Sequence, residues 1–165
     1  TICTPRSPDC HDCPLSSSCG AKATKDPTQW PHRRPKRPTE EQWWASAVIV
    51  ADQEVLLWTG DSELLAGHRG PPLVQLSGPG LDAEQQMNEV LQQLQIEKAI
   101  FLGHADRFRH AITHRKLEIF PLVYQWHGKV PQGVVTIPLD SGDRLAALHR
   151  KSITAARELL LEASR

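Results

Sequence analysis

Four cysteines stand near the start of the chain, Cys3, Cys10, Cys13 and Cys19, separated by gaps of six, two and five residues. Thiolates are soft donors, and four of them in one short loop suit a single metal centre. Two disulfides are the competing use. No secretory leader is visible ahead of the loop, so a reducing compartment that keeps the thiols free is expected. A mononuclear zinc site usually takes its ligands as two close pairs, whereas here only Cys10 and Cys13 are close. An iron-sulfur cube accepts uneven spacing because each thiolate holds a different corner iron. The spacing therefore favours a cube, with a zinc-binding nucleic-acid module as an alternative.

The gap pattern resembles the four-iron four-sulfur loop that closes the catalytic domain of endonuclease III-type DNA glycosylases. The text around it, Ile2-Cys3-Thr4-Pro5-Arg6 through Cys13-Pro14-Leu15 to Cys19, is similar to the adenine glycosylase branch, the MutY family. The resemblance implies a [4Fe-4S] cluster on Cys3, Cys10, Cys13 and Cys19, with Arg6 touching a DNA phosphate. It also implies a catalytic aspartate just before the first cysteine and a catalytic glutamate further upstream. Neither is in this sequence, so the chain reads as the C-terminal part of such an enzyme, with no catalytic residue of its own and no activity alone. The intact protein would remove adenine mispaired with 8-oxoguanine in base excision repair, hydrolysing the N-glycosidic bond of a flipped-out adenine. Its partner would be duplex DNA carrying 8-oxoguanine:adenine or G:A mispairs. A monomer in the bacterial cytoplasm, drawn to the nucleoid through DNA, is the setting this implies.

The elements that must position this chemistry fall into three stretches. Residues 1–21 are the cysteine loop. Residues 22–42, with Pro27, Pro31, Pro35 and Pro38 amid charge and no periodicity, read as a stiff connector with extended segments. Residues 43–165 read as one domain of ordinary size, and 39% apolar residues over the whole chain suffice to fill a core. The formal net charge is zero but unevenly spread: Lys22 to Arg37 is basic and Asp82 to Glu97 acidic. Phosphate attraction depends on such local clusters, so neutrality overall does not exclude nucleic acid. No apolar run approaches the roughly 20 residues of a spanning helix, so a soluble intracellular protein is expected.

Within the domain, Trp44 to Ala51 and Val55 to Trp58 predict a hairpin around Asp52-Gln53. Glycines and prolines from Gly60 to Gly80 predict loop, with a short strand at Leu73 to Leu76. Asp82 is expected to cap a helix whose apolar face is Ala83, Met87, Val90, Leu91 and Leu94. Ala99 to Leu102, Leu117 to Tyr124 and Val134 to Ile137 predict strands, with Pro121 implying an edge or a bulge. A final helix is expected from about Ser152 to Ala163. Strands on both sides of an internal helix, then a terminal helix, give an α+β sandwich. The order resembles the Nudix-like domain that follows the connector in adenine glycosylases.

Nudix hydrolases hold magnesium on a helix of pattern Arg-Glu-x-x-Glu-Glu-x-Gly. The matching line here is Asn88-Glu89-Val90-Leu91-Gln92-Gln93-Leu94-Gln95, with Gly80 where a further glutamate is expected. A hard divalent cation is held by carboxylate charge, and Gln92 and Gln93 offer only neutral oxygens. Glu89 alone is left, which argues against the alternative of a nucleotide pyrophosphate hydrolase and for a recognition surface.

Phe108 to His114 is similar to the MutY-family loop carrying Phe-Ser-His, which reaches 8-oxoguanine; Ile112 replaces the phenylalanine and Thr113 the serine. Oxidation turns guanine N7 from an acceptor into an N–H donor and adds an acceptor oxygen at C8. A hydroxyl can accept from the one and donate to the other. Thr113, His114 and Ile112 are thus the expected lesion contacts, with Arg109, Arg115 and Lys116 on the flanking phosphates.

Overall fold

The computed structural model describes residues 2–32, 35, 37–61, 63–96, 98–141 and 144–163. Arg33, Arg34 and Lys36 of the expected basic connector, and Glu97 of the acidic stretch, lie outside them. The chain forms two compact units, Thr1–Pro38 and Thr39–Arg165.

The first unit is wound from turns. The Ser7 N–H donates to the Thr4 carbonyl at 3.2 Å, the Asp9 N–H to Ile2 at 3.0 Å, and the Ser16 N–H to Cys13 at 3.0 Å. A single 3-10 turn, Pro27–Gln29, is capped by Asp26, whose carboxylate accepts from the Thr28 N–H at 2.9 Å.

The second unit is built on two long neighbouring strands, β1 (Glu40–Ala51) and β7 (Arg115–Gln125). They run in parallel, in register from Glu40↔Arg115 to Val50↔Gln125. The free edge of β1 is shared by β4 (Leu73–Leu76) and β2 (Glu54–Thr59), both antiparallel. That of β7 is shared by β6 (Phe108–Ile112) and β5 (Ile100–His104), also antiparallel. β3 (Arg69–Gly70) and β8 (Val135–Pro138) pair with β2.

Every residue of β1 from Trp44 to Ile49 is buried, because both faces of the sheet are covered. Ala45, Ala47, Ile49, Leu56, Leu122 and Tyr124 meet Met87 and Leu91 of α1 (Ala83–Gln93) on one face. Val48, Val55, Leu57 and Val123 meet Ile153 and Ala156 of α2 (Ala147–Ala163) on the other. Each fully buried Leu, Ile or Met side chain contributes about 1.5–3 kcal/mol. The architecture is the expected α+β sandwich.

Several local expectations change. β1 begins at Glu40, because pairing with β7 carries the strand into the stretch that reads as connector. Pro121 is neither at an edge nor at a bulge. Its carbonyl accepts from the Ala105 N–H at 3.0 Å, at the seam where β6 gives way to β5, so the missing proline N–H faces a gap in the ladder. Asp82 sits at φ 52° and its side chain makes no cap bond; N-cap side chains reach the helix amides from extended backbone. α2 starts five residues before Ser152, because Leu148 and His149 are also buried.

Helix α1 ends in a full Schellman arrangement: the Ile96 N–H donates to the Leu91 carbonyl at 2.8 Å and the Gln95 N–H to Gln92 at 3.0 Å. Gln95 holds φ 63°, the left-handed backbone that the Nudix pattern assigns to glycine. Gly80, at φ 72°, faces the Phe120 ring, which an added Cβ would meet at 3.1 Å; a box glutamate would be strained there.

His149 is only 2% exposed, and its Nδ1 has no partner. Burial, reinforced by His68, lowers its pKa to about 4. The unfolded imidazole takes its proton near about 6.5, so stability is complete above that pH and falls as the pH drops toward the folded value. Denaturation midpoints should show a loss of about 2 kcal/mol at about pH 5 relative to neutral pH, a loss that His149→Asn removes. An equal acid slope in the variant would contradict this.

Candidate functional site

The four thiols are free: Cys3 is exposed, and Cys10, Cys13 and Cys19 are partly buried. The loop backbone is organised around them. The Cys10 carbonyl accepts from Ser16 Oγ at 2.8 Å and the Cys19 carbonyl from the Ala23 N–H at 3.3 Å. The Lys22 ammonium donates to Ser16 Oγ. Among the described residues no three Cys, His, Asp or Glu side chains are gathered closely enough to hold a metal ion. In type and number the donor set fits an all-thiolate centre, and it is these four sulfurs that would converge on it. Arg6 is exposed in the same loop.

On α1, Asn88, Glu89, Gln92 and Gln93 are exposed, and Glu89 carries the only carboxylate among the aligned box positions. Glu84, a turn earlier, is bound instead to His104 of β5, Oε1 to Nε2 at 2.7 Å. Gln93 borders a cavity of about 190 Å³ that His149 also lines, and among the described residues no lysine or arginine borders it. The helix therefore presents amides where a metal would require charge.

The segment Phe108 to His114, expected as a lesion-reading loop, is mostly strand. Phe108 to Ile112 form β6, and the connection to β7 is the two-residue turn Thr113-His114. The signal was present: Phe108, His110 and Ile112 alternate as partly buried positions with exposed Arg109 and Ala111, the period of a strand. Thr113 is exposed at the tip of the turn. Its Oγ1 lies 3.2 Å from His114 Nδ1. Ile112 packs instead against the cluster of Trp44, Leu64, Leu117, Ile119 and Leu148.

The expected phosphate contacts divide between the two faces of the hairpin. Arg109 and Lys116 border a groove of about 430 Å³ together with Glu41, Trp43, His110 and Glu118. Burial, then the charge of Lys151, lowers the His110 pKa. Arg115 is on the opposite face, with Nη2 3.7 Å from Glu63 Oε2 and with Nε, buried and without a hydrogen-bond partner, 3.9 Å from Glu40 Oε2. Glu40, which no local feature of the sequence singles out, is drawn to the turn by the β1–β7 register. Its N–H donates to the His114 carbonyl at 3.0 Å, and its Oε1 lies 3.7 Å from His114 Nε2.

Residues 3–19 match the family described as the iron-sulfur binding domain of endonuclease III, a match that begins and ends on cysteines. A sequence search of curated proteins finds no match. The structure is similar to the Escherichia coli ORF135 protein, at 16% identity and TM-score 0.55, over 77% of this chain and 94% of that one. It is also similar to a NUDIX hydrolase from Nitrosomonas europaea, at 16% identity and TM-score 0.51, over 74% and 90%. A further similar structure is the C-terminal domain of mouse MUTYH in complex with human PCNA, at 22% identity and TM-score 0.48, over 76% and 90%. The domain has a Nudix-like α+β fold. The chain thus carries an endonuclease III-type iron-sulfur motif followed by a Nudix-like domain, the two modules implied by its resemblance to the C-terminal portion of MutY proteins. No helix among the described residues is long and apolar enough to cross a membrane.

Thr113 holds φ 53°, a left-handed conformation that costs a β-branched residue about 1–2 kcal/mol. Such strain gathers where a side chain must be presented. Thr113→Asn should therefore raise stability by about 1 kcal/mol in denaturant titration, since asparagine tolerates this backbone. Unchanged or lowered stability would show that the turn is relaxed.

Proposed function

We propose that this chain is the C-terminal part of an adenine DNA glycosylase of the MutY type, in which the Nudix-like domain reads 8-oxoguanine opposite the target adenine. The observation that carries this reading is the joining, in one chain, of an endonuclease III-type iron-sulfur motif to a Nudix-like fold whose metal-binding helix has lost its paired glutamates. Neither module alone selects it: the motif is that of endonuclease III, and the fold is shared with hydrolases. Hydrolysis of the glycosidic bond falls to residues outside this sequence.

Cys3, Cys10, Cys13 and Cys19 would hold a [4Fe-4S] cluster, which when bound shapes the loop that presents Arg6 to a phosphate. In the reader domain, Thr113 meets the lesion at the tip of the β6–β7 turn. His114 supports it from behind, and Ile112 ties the turn to the core. Arg109 and Lys116 take the flanking phosphates, while Arg115, held between two carboxylates, stiffens the turn. A pyrophosphate hydrolase would require the carboxylates that Gln92 and Gln93 replace. The setting is a reducing, DNA-containing compartment, the cytoplasm of a bacterium, with the protein acting as a monomer on 8-oxoguanine:adenine or G:A mispairs.

Thr113→Val keeps the branched shape and removes the hydroxyl. In duplex titrations it should reduce the preference for 8-oxoguanine over guanine by about 1–3 kcal/mol, the size of one good base-edge contact. A preference equal to that of the wild-type chain would remove Thr113 from the reading.

A further inference from the structure

Beyond the core that α1 covers, two rows of side chains continue along the same face of the sheet toward the turn. The register places Trp43, Glu118 and Arg109 side by side on β1, β7 and β6, and Glu41, Lys116 and Ala111 in the next row. Residues paired across neighbouring strands point to one face. On the inner side Trp43 and Phe120 pack against the cluster of Ala45, Leu76, Met87 and Leu122. On the outer side all six residues of the two rows border the groove of about 430 Å³. Trp43 thus joins core and groove, and it is partly buried.

The charges along this groove are unevenly engaged. Glu118 Oε1 lies 3.4 Å from Arg107 Nη1. Arg109 and Lys116 make no ion pair among the described residues, and no described cation or second ring covers Trp43. Glu41, also without an ion pair, stands on β1 as Trp43 does, whereas both free cations stand on β7 and β6. The groove therefore has an indole side and a positive side.

We infer that this groove binds one unpaired nucleotide of a DNA strand, its base stacked on Trp43 and the phosphates on either side of it held by Arg109 and Lys116. The inference shares those two phosphate contacts with the proposed function, and needs neither Thr113 nor the lesion. Every base has a π face, and a positive groove combined with an aromatic platform holds a single strand without reading its sequence. A base stacked inside a duplex has no face free for the indole. Over β1, the Glu41 carboxylate can accept only from an N–H, which the amino group of adenine or cytosine supplies. The same carboxylate repels phosphate, which leaves the strand's backbone to run over β7 and β6. Ala111, the smallest side chain of the two rows, leaves room for it there.

The test titrates the full chain with a short single strand of deoxyadenosine, with the same strand lacking its bases, and with 8-oxoguanine and guanine duplexes. The indole N–H signal of Trp43 is followed throughout. The strand with bases should move that signal and bind roughly five- to hundredfold tighter than the abasic one, the size of one stacked base. Trp43→Leu should lose that advantage and leave the abasic strand unaffected, while Trp43→Phe, which keeps a ring, should retain most of it. Arg109→Ala combined with Lys116→Ala should weaken both strands and lower the slope of log affinity against log salt by about 1.4. An abasic strand that binds as tightly as the strand with bases would overturn the inference, whether or not Trp43→Leu folds. So would a Trp43 signal that does not move, or equal affinities in the wild type and a folded Trp43→Leu. A chain that meets these expectations yet shows no preference for 8-oxoguanine duplexes would support the platform and sink the lesion reading alone.

Discussion

The parallel pairing of β1 with β7 is the constraint on which the rest of the domain depends. It runs without a break from Glu40↔Arg115 to Val50↔Gln125, and each strand lends its other edge to two short antiparallel partners. Both helices pack against residues of these two strands. Two parallel strands cannot be joined by a tight turn, so everything between them in sequence, including α1, must serve as the crossover. The same ladder brings a carboxylate from the start of the domain to the back of a turn more than seventy residues later.

That turn departs from the local rules that its neighbours follow. The strand residues beside it follow ordinary rules, with Phe108 and Ile112 directed to a core cluster and Arg109 to the exposed face. Thr113 does not, since a β-branched residue at positive φ is a poor local choice. Its position is enforced by the short connection between two paired strands, and by Glu40, whose backbone N–H and carboxylate both address His114. On α1 the balance runs the other way. Gln95 takes the left-handed helix end that the Nudix pattern gives to glycine, while Gln92 and Gln93 put amides where that pattern has paired glutamates.

Much of the fold was legible in the sequence because its elements carry their own period. The β1–β2 hairpin, β4, α1, β5, β7 and α2 all follow from apolar spacing and turn residues. β3 is two residues long, too short to have a period. β6 was obscured by Arg109 and His110, whose polarity suggests a loop although the alternation is that of a strand. Pro121 suggests an edge, yet it sits in the middle of the sheet at a gap between two partners, a feature only the assembled ladder reveals. The cysteine spacing was readable locally, and the family match falls on it. The contact of Glu40 with His114 was not, since it joins residues that no window of sequence contains, and Glu40 lies in a stretch whose prolines read as connector.

The proposed function unites an iron-sulfur loop with a Nudix-like reader of damaged DNA, and the loop is the half that chemistry can decide outright. The direct measurement is iron and acid-labile sulfide in protein purified without oxygen. About four of each per chain are expected, in brown protein whose colour is lost when Cys10 or Cys13 is replaced by serine. Stoichiometric zinc, or colourless protein with no bound metal, would contradict it.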